Sequence, residues 1–503
     1  MKKQILSVFL ASAMLTGSIP MCAASAANNA SGDVNGDGKL SISDVVMLSR
    51  YVGEDASVSL TMPANADING DGSVDFNDAT AMLRTIARLP LVENISASRN
   101  LMDDVTANSI DIVEYSDAFK DSQMNFAVKM LQETVKENQQ KGNQAENLLI
   151  SPTSAMFALA MTANGAKEDT LAQMEQVLGG GMDIDELNRY LYTFREKTTK
   201  SGQFSVANGI WFRNQQNGVP FEPQTKFIQN NADFYGAGAF ASPFDRSTVE
   251  EMNDFINLNT HEMIPQFFPE FYEIPQDTMM YLVNTLAFES RWQKPYLNGY
   301  NTTRHAFTCY NGNQIIADMM SSTEWTYLSD ENACGFIKPY EFNEFSFAAL
   351  VPDEGVSIDE YVASLTGEKL TKILKNSSNE EVYTVMPMFS YDYDISLNNT
   401  LQNMGMTNAF QDYLANFDGI DNGLFDLYIN EVKQKTHITV DTDGTQAAAV
   451  TVIDMPQNTG DITPDPKLVY LERPFVYMII DNSTNVPLFM GTMLKPNGAI
   501  DGF

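Results

Sequence analysis

Cysteine, histidine and basic side chains are scarce in this 503-residue sequence: three cysteines, three histidines, and 31 lysine plus arginine against 65 aspartate plus glutamate. Cys22 falls in the N-terminal leader described below, which leaves Cys309 and Cys334. A disulfide scaffold is therefore excluded, while a single bridge and two free thiols both stay open. Two cysteines this far apart build no thiol metal cluster without help from the few histidines. Those histidines, His261, His305 and His437, form no His-Glu-x-x-His motif, and the chain has neither a Gly-x-Ser-x-Gly elbow nor a Gly-rich loop ending in Lys-Ser or Lys-Thr. A Ser-His-Asp site needs a base beside its nucleophile. His437 lies instead in a strand-like run, where packing or solvation is its expected role. The formal charge of -34 argues against nucleic acid and anionic membrane as partners. No apolar run beyond the leader is long enough to cross a bilayer.

What the sequence does contain begins with a targeting segment. Lys2-Lys3, the apolar run Ile5 to Leu15 and the small-residue stretch Ala24-Ser25-Ala26 read as a signal peptide over residues 1–26, so the chain is expected to be secreted and extracellular. A hydrophobic content of 44% with 30 Gly and 20 Pro is that of a folded chain, and its length exceeds one ordinary domain.

Two copies of one pattern follow, starting at Asp33 and Asp67. Asp33, Asn35 and Asp37, then Lys39, Ser41 and Asp44, occupy loop positions one, three, five, seven, nine and twelve. Asp67, Asn69, Asp71, Ser73, Asp75 and Asp78 repeat them. Oxygen ligands at one, three and five, a glycine at six, a backbone carbonyl at seven and a carboxylate at twelve suit calcium, with Asp in place of the usual Glu at the last position. An amphipathic run follows each loop: Val45, Val46 and Leu48 in the first, Ala79, Met82, Leu83 and Ile86 in the second. Duplicate calcium loops, each with one helix and no entering helix, resemble a dockerin, here over residues 32–91. The resemblance implies two calcium ions, none elsewhere in the chain, and a cohesin domain of a scaffolding protein as partner. By position, Ser43, Val46, Met47, Arg50, Asn77, Ala81 and Arg84 are the candidate cohesin contacts. A core this small couples folding to calcium. Residues 92–107 show no period and read as a linker.

The stretch from Asp441 to Phe475 is the most informative in the remainder. A strand-like run of β-branched residues, Thr436 to Val440, leads into Gly444-Thr445-Gln446-Ala447-Ala448-Ala449-Val450-Thr451, and Pro456, Asn458, Gly460, Pro464 and Pro466 mark an exposed loop before the apolar run Phe475 to Ile480. Alanine favours helix and is a poor strand former, so the segment is locally ambivalent. Gly444 offers a pivot. Thr445, Ala447, Ala449 and Thr451 form a period-2 set of small residues.

With other segments, this stretch resembles the reactive-centre-loop hinge of a serpin. Asn147 to Ser154, Asn164-Gly165-Ala166-Lys167, Val206 to Phe212, Leu282 to Phe288 with Trp292, Met386 to Phe389, Arg473-Pro474-Phe475 and Leu488 to Gly491 follow in that family's order. The fold implied over residues 108–497 is α+β, three β-sheets with about eight or nine helices. Departures are Phe255 where Trp is common, Glu262-Met263 for the usual Gly-Lys, Thr442 for Glu before the hinge, and Gln446 at the next acidic or polar position.

The resemblance implies a suicide-substrate inhibitor and not an enzyme. A protease cuts the loop, forms an acyl-enzyme, and is trapped when the hinge inserts as a new strand, small side chains facing the packed side. Counting from Gly444 places the reactive bond at Asn458-Thr459; counting back from Phe475 places it nearer Thr463. With no basic residue between the hinge and Lys467, the loop suits subtilisin-like serine proteases or papain-like cysteine proteases rather than trypsin-like ones. Two other readings are a non-inhibitory serpin-fold binding protein and a dockerin-bearing glycoside hydrolase, whose paired acids need a supporting fold.

Overall fold

The computed structural model describes residues 32–53, 57–68, 72–86, 98–216, 219–260, 264, 266–269, 271–276, 278–297, 301–445, 466–496 and 500–501. The leader, Asn69, Asp71, the Arg84 side chain, Glu262-Met263 and residues 446–465, including Asn458 and Thr459, lie outside the described residues. The chain divides into two units, 1–95 and 96–503.

In the first unit, helix α1 (Ile42–Val52) and helix α2 (Phe76–Ile86) each start within the last three positions of an Asp-rich loop. Their facing stripes bury Val45, Leu48, Ala79 and Met82 with Val34 and Ala66, a core of six side chains, two of them alanines. Ser41 and Asp44 close a capping box at the start of α1, so the carboxylate at loop position twelve also ends the loop and opens the helix.

The second unit is built around α3 (Asp117–Lys141), the wholly buried α4 (Pro152–Ala163) and three large sheets. Ser151 caps α4, its Oγ accepting from Ser154 N at 3.2 Å, and Pro152 occupies the first turn where no N–H is needed. Gly165, just past the end, touches Ile420 so closely that a Cβ would lie 2.1 Å from Ile420 Cγ1. Among the described residues this unit has nine α-helices of six residues or more, in line with the expected number. Three sheets were expected; among the described residues there are more, an eight-, a six- and a five-stranded sheet and a two-stranded ribbon, Gln215–Gln216 with Val219–Pro220. It is too short to leave a period in the sequence.

Eight strands make the largest sheet: β1 (Arg99–Asn100), β2 (Phe204–Arg213), β3 (Gly238–Ser242), β4 (Met280–Phe288), β5 (Ser290–Arg291), β6 (Phe389–Ser396), β7 (Val432–Val440) and β8 (Gly444–Thr445). Their order is β1-β3-β2-β4-β7-β8-β5, with β6 on the far side of β7. Helix α5 (Arg246–Asn259) lies over β2; its Phe255 meets Trp211 edge-on at 5.2 Å, so an aromatic at this place still packs. The stretch read as a linker divides. Residues 98–107 are part of the second unit: β1 pairs with β3, Ser98 Oγ donates to Glu251, and Leu101, Met102 and Val105 pack on the core. A two-residue edge strand shows no alternation, so nothing in the sequence marks it.

Candidate functional site

The site is the place where β7 turns into β8. β7 alternates buried and half-exposed along its whole length, with Val432, Gln434, Thr436, Ile438 and Val440 inside. Two of the inward residues are polar and fully used: Gln434 exchanges hydrogen bonds with Ser151 N and O at 2.9 Å each, and Thr436 Oγ1 donates to Leu149 O at 2.9 Å. On its outer side His437 Nδ1 is 2.9 Å from Asp392 Oδ1 and Nε2 is 3.1 Å from Thr439 Oγ1, while Ser390 Oγ meets Thr439 Oγ1 at 2.8 Å. Asp392 and Ser390 lie directly opposite His437 and Thr439 in the β6–β7 ladder, so sheet register accounts for this row.

β4 and β7 run parallel but, among the described residues, pair only at Leu282–Val432 and Val283–Lys433. At the other end β8 stands between β7 and β5: Thr445 opposes Val440 on β7 and Ser290 on β5, and Gly444 opposes Arg291. Thr445 is only 2% exposed, with its Oγ1 2.5 Å from Tyr340 Oη. The first two residues of the hinge thus already lie in the sheet. Gly444 was read as a pivot, yet its φ is not left-handed; what requires glycine is close approach, since a Cβ would stand 2.2 Å from Ser290 O.

The reversal from β7 into β8 is closed by Asp441, whose N donates to Gly444 O at 3.0 Å and whose Oδ1 accepts from Asp443 N and Gly444 N. Three further bonds hold its carbonyls: Trp292 Nε1 to Asp441 O at 2.8 Å, Tyr296 N to Thr442 O at 2.8 Å and Trp292 N to Asp443 O at 2.9 Å. Thr442 is buried here. Trp292 in turn stacks on Tyr340 at 4.6 Å. Burial pushes the Tyr340 hydroxyl far above its ordinary pKa, so it stays protonated beside Thr445. None of this aromatic bracket except Trp292 was singled out in the sequence.

In the first unit, the carboxylates of Asp33, Asp37 and Asp44 bring one oxygen each within 4.8 Å of one another. Asp33 accepts from Gly36 N, Asp37 N and Gly38 N at 2.7–3.1 Å, and Asp44 from Val34 N, Asn35 N and Ser41 N at 2.9–3.1 Å. Gly36 and Gly38 adopt φ +79° and +82°, which an L side chain avoids. Three hard oxygen donors around one point, with the Asn35 amide and the Lys39 backbone in the same loop, fit a divalent cation such as calcium. In the second loop Asp78 accepts from Ile68 N and Asp75 N, and Asp67 from Gly72 N, at 2.9 Å each, repeating three bonds of the first. Ser73 is exposed and Ser41 and Asp75 half-buried.

Of the proposed cohesin contacts, Ser43, Val46 and Arg50 are exposed, Met47 and Asn77 half-buried, and Ala81 is buried at 3%. Ala81 thus has no surface to offer a partner. Ile42, Tyr51, Phe76 and Leu83 are large apolar side chains 45–56% exposed on the two helices, and none of them was among the candidate cohesin contacts. Cys309 and Cys334 are both free thiols, the first buried.

The serpin (serine protease inhibitor) family profile matches residues 121–496. The chain belongs to the serpin family. A dockerin type I profile matches residues 31–87, so this serpin also carries a dockerin domain. It is 28% identical over 358 residues to an uncharacterized serpin-like protein of Thermococcus kodakarensis, covering 70% of this chain and 81% of that one. It is 27% identical over 361 residues to a serine protease inhibitor of Cyanea capillata, covering 70% and 93%. Among solved structures, the native state of the thermophilic serpin tengpin has 39% identity and a TM-score of 0.72 over 79% of this chain and 99% of that one; its latent state scores 0.66 at 38% identity over 77% and 100%. Serpins are a non-catalytic inhibitor class, in keeping with the reading that the chain is not an enzyme. A serpin-type protease inhibitor with a dockerin attachment module is therefore the function these features share. No helix among the described residues is long and apolar enough to cross a membrane.

Proposed function

We propose that this serpin is a secreted suicide-substrate inhibitor that holds a protease covalently by inserting its cut loop between β4 and β7, and that its dockerin tethers it to a cohesin-bearing scaffold outside the cell. The observation that carries the reading is the pairing of Thr445 with Val440. Continued antiparallel after cleavage, that register sets Ala447 against Ile438, Ala449 against Thr436 and Thr451 against Gln434, all buried positions of β7. The small residues then face the core, and Gln446, Ala448 and Val450 lie on the side of Thr439, His437 and Lys435. Insertion adds ladder hydrogen bonds on both flanks and relieves a native form whose persistence is partly kinetic.

The proposed reactive bond is Asn458-Thr459, with a neutral residue before the cut that suits subtilisin-like or papain-like enzymes. Incubation with a panel of such proteases, followed by denaturing electrophoresis and mass determination, tests this. The expected result is a denaturant-resistant adduct with release of a C-terminal fragment beginning near Thr459; cleavage without adduct makes the protein a non-inhibitory relative. Two calcium ions, one per loop, are proposed for the dockerin, held by Asp33, Asn35, Asp37, Lys39, Ser41 and Asp44 and by Asp67, Asn69, Asp71, Ser73, Asp75 and Asp78. Calcium supplies the charge that lets these carboxylates share one loop; the chain supplies the turn and the helix start. The exposed face of α1 and α2, with Ser43, Val46 and Arg50, is the proposed cohesin-binding side.

A further inference from the structure

One buried charge pair lies directly behind the hinge. Lys338, the next-to-last residue of the strand Ala333–Pro339, has a side chain 1% exposed, and its Nζ is 2.7 Å from Oε1 of Glu324, itself 6% exposed. The ammonium also donates to Lys294 O at 3.1 Å. Its remaining side faces two rings, 4.4 Å from the centroid of Tyr296 and 5.3 Å from that of Trp292. Ser322 Oγ donates to the same Glu324 oxygen at 2.6 Å, so this oxygen is shared by a hydroxyl and the ammonium. Burial pulls the Lys338 ammonium toward neutrality, and Glu324 opposes that pull.

A buried ion pair is poor value as a source of stability: apolar residues of the same volume commonly serve as well or better. What a cation between two aromatic faces supplies is orientation, because the attraction depends on where the ring planes lie. The two rings fixed here belong to the residues whose N–H groups hold the carbonyls of Asp441, Thr442 and Asp443.

We propose that Lys338 and Glu324 are a positioning pair for the hinge, holding Trp292 and Tyr296 so that the reversal at residues 441–444 is preformed when the loop is cut. This extension rests on the trapping mechanism proposed above. With the reversal preformed, insertion starts from Thr445 without a search, and the acyl-enzyme has less time to hydrolyse. With the pair absent, the loop is cut as fast but more molecules are consumed for each protease held.

The test uses the full chain with both charges removed, Glu324→Gln with Lys338→Met, which leaves no unpaired buried charge. A control replaces a pair elsewhere, Asp330→Asn with Lys369→Met, whose Nζ and Oδ2 are 3.0 Å apart. In the uncut protein, amide exchange across residues 441–445 is expected to rise by about tenfold in the first variant and to stay unchanged in the control. Against a protease that the unaltered chain traps, the stoichiometry of inhibition should rise several-fold with no change in the rate of loop cleavage. Exchange that stays at the unaltered rate in the first variant, or that rises equally in both variants alongside a general loss of stability, overturns the proposal. Failure of the unaltered chain to trap any protease is a separate result that strikes the mechanism; the exchange measurement still decides whether the pair holds the reversal.

Discussion

The buried groups that organise the first unit are carboxylates: Asp33, Asp44 and Asp78 are 0–3% exposed and gather the backbone N–H groups of their loops, while the apolar core beside them is only six side chains. In the second unit the buried mass is mainly apolar, a large cluster that draws on residues from Phe119 to Leu494 with a smaller one around Trp211, and polar groups such as Gln434 and Thr436 serve to pin strands to it. Carboxylates brought together repel one another, and a cation among them would relieve that repulsion, which is why the proposed calcium is expected to couple to the folding of this unit. A chain held by a large core needs no such partner. Among the described residues its largest sheet has a seam, between β4 and β7, where pairing is incomplete, and this is where the proposed insertion would take place.

The sharpest way to break that contrast is to remove calcium. Chelation should unfold the first unit and abolish scaffold binding while the melting midpoint of the second moves by no more than about 2 °C, read by calorimetry. Retained amide protection across residues 42–52 in excess chelator would mean the small core suffices alone. Next in size is Ala447→Arg. The loop should be cut at the unaltered rate, and trapping should fall by at least about tenfold, because insertion would carry an unpaired charge to a buried position. A full-strength adduct from this variant, seen on denaturing gels, would count against strand insertion.

A smaller effect confined to the second unit is expected from Gly165→Val, whose Cβ meets Ile420; overpacking of this kind costs about 1–3 kcal/mol. The second unit's midpoint should drop while the first unit's calcium-dependent transition stays in place, and a shift of both would show that the units are not independent. The smallest effect concerns acid. Burial alone would raise the pKa of Glu137, but hydrogen bonds from Lys141, Asn399 and Thr400 outweigh it and hold the group below the ordinary carboxylate value. A lowered folded-state pKa contributes stability above the unfolded value that is lost as pH falls through the folded one. Glu137→Gln should therefore flatten the acid limb of the second unit's stability, measured by urea unfolding between neutral pH and pH about 3; an unchanged slope removes Glu137 as a cause.

Much of this was legible in the residue order. The all-round apolar character of Met156 to Ala163 marked a buried helix, Ser151 and Pro152 marked its start, and the spacing of six positions in each Asp-rich loop marked the turn and the helix that follows. The two-residue strands were not legible, since β1, β5 and β8 are shorter than one repeat of any pattern. The close approach at Gly444 was not legible either: glycine looks the same in a sequence whether the backbone has to turn or a neighbour stands too close for a Cβ. Ala81 was placed on a binding face because α2 was counted by position, and only the folded unit shows that this side chain is covered.

Periodicity, ligand spacing and small-residue alternation are properties of neighbours along the chain; they gave the duplicated Asp-rich loops, the helices that follow them and the alternation of small residues after Gly444, while the two modules came from motifs whose order resembles two known families. The bracket of Trp292, Tyr296, Tyr340 and Lys338 around residues 441–444, and the incomplete seam between β4 and β7, arise from residues up to about 150 positions apart. Local preference carries no record of such distances; only the packing of one sheet against another brings those groups together.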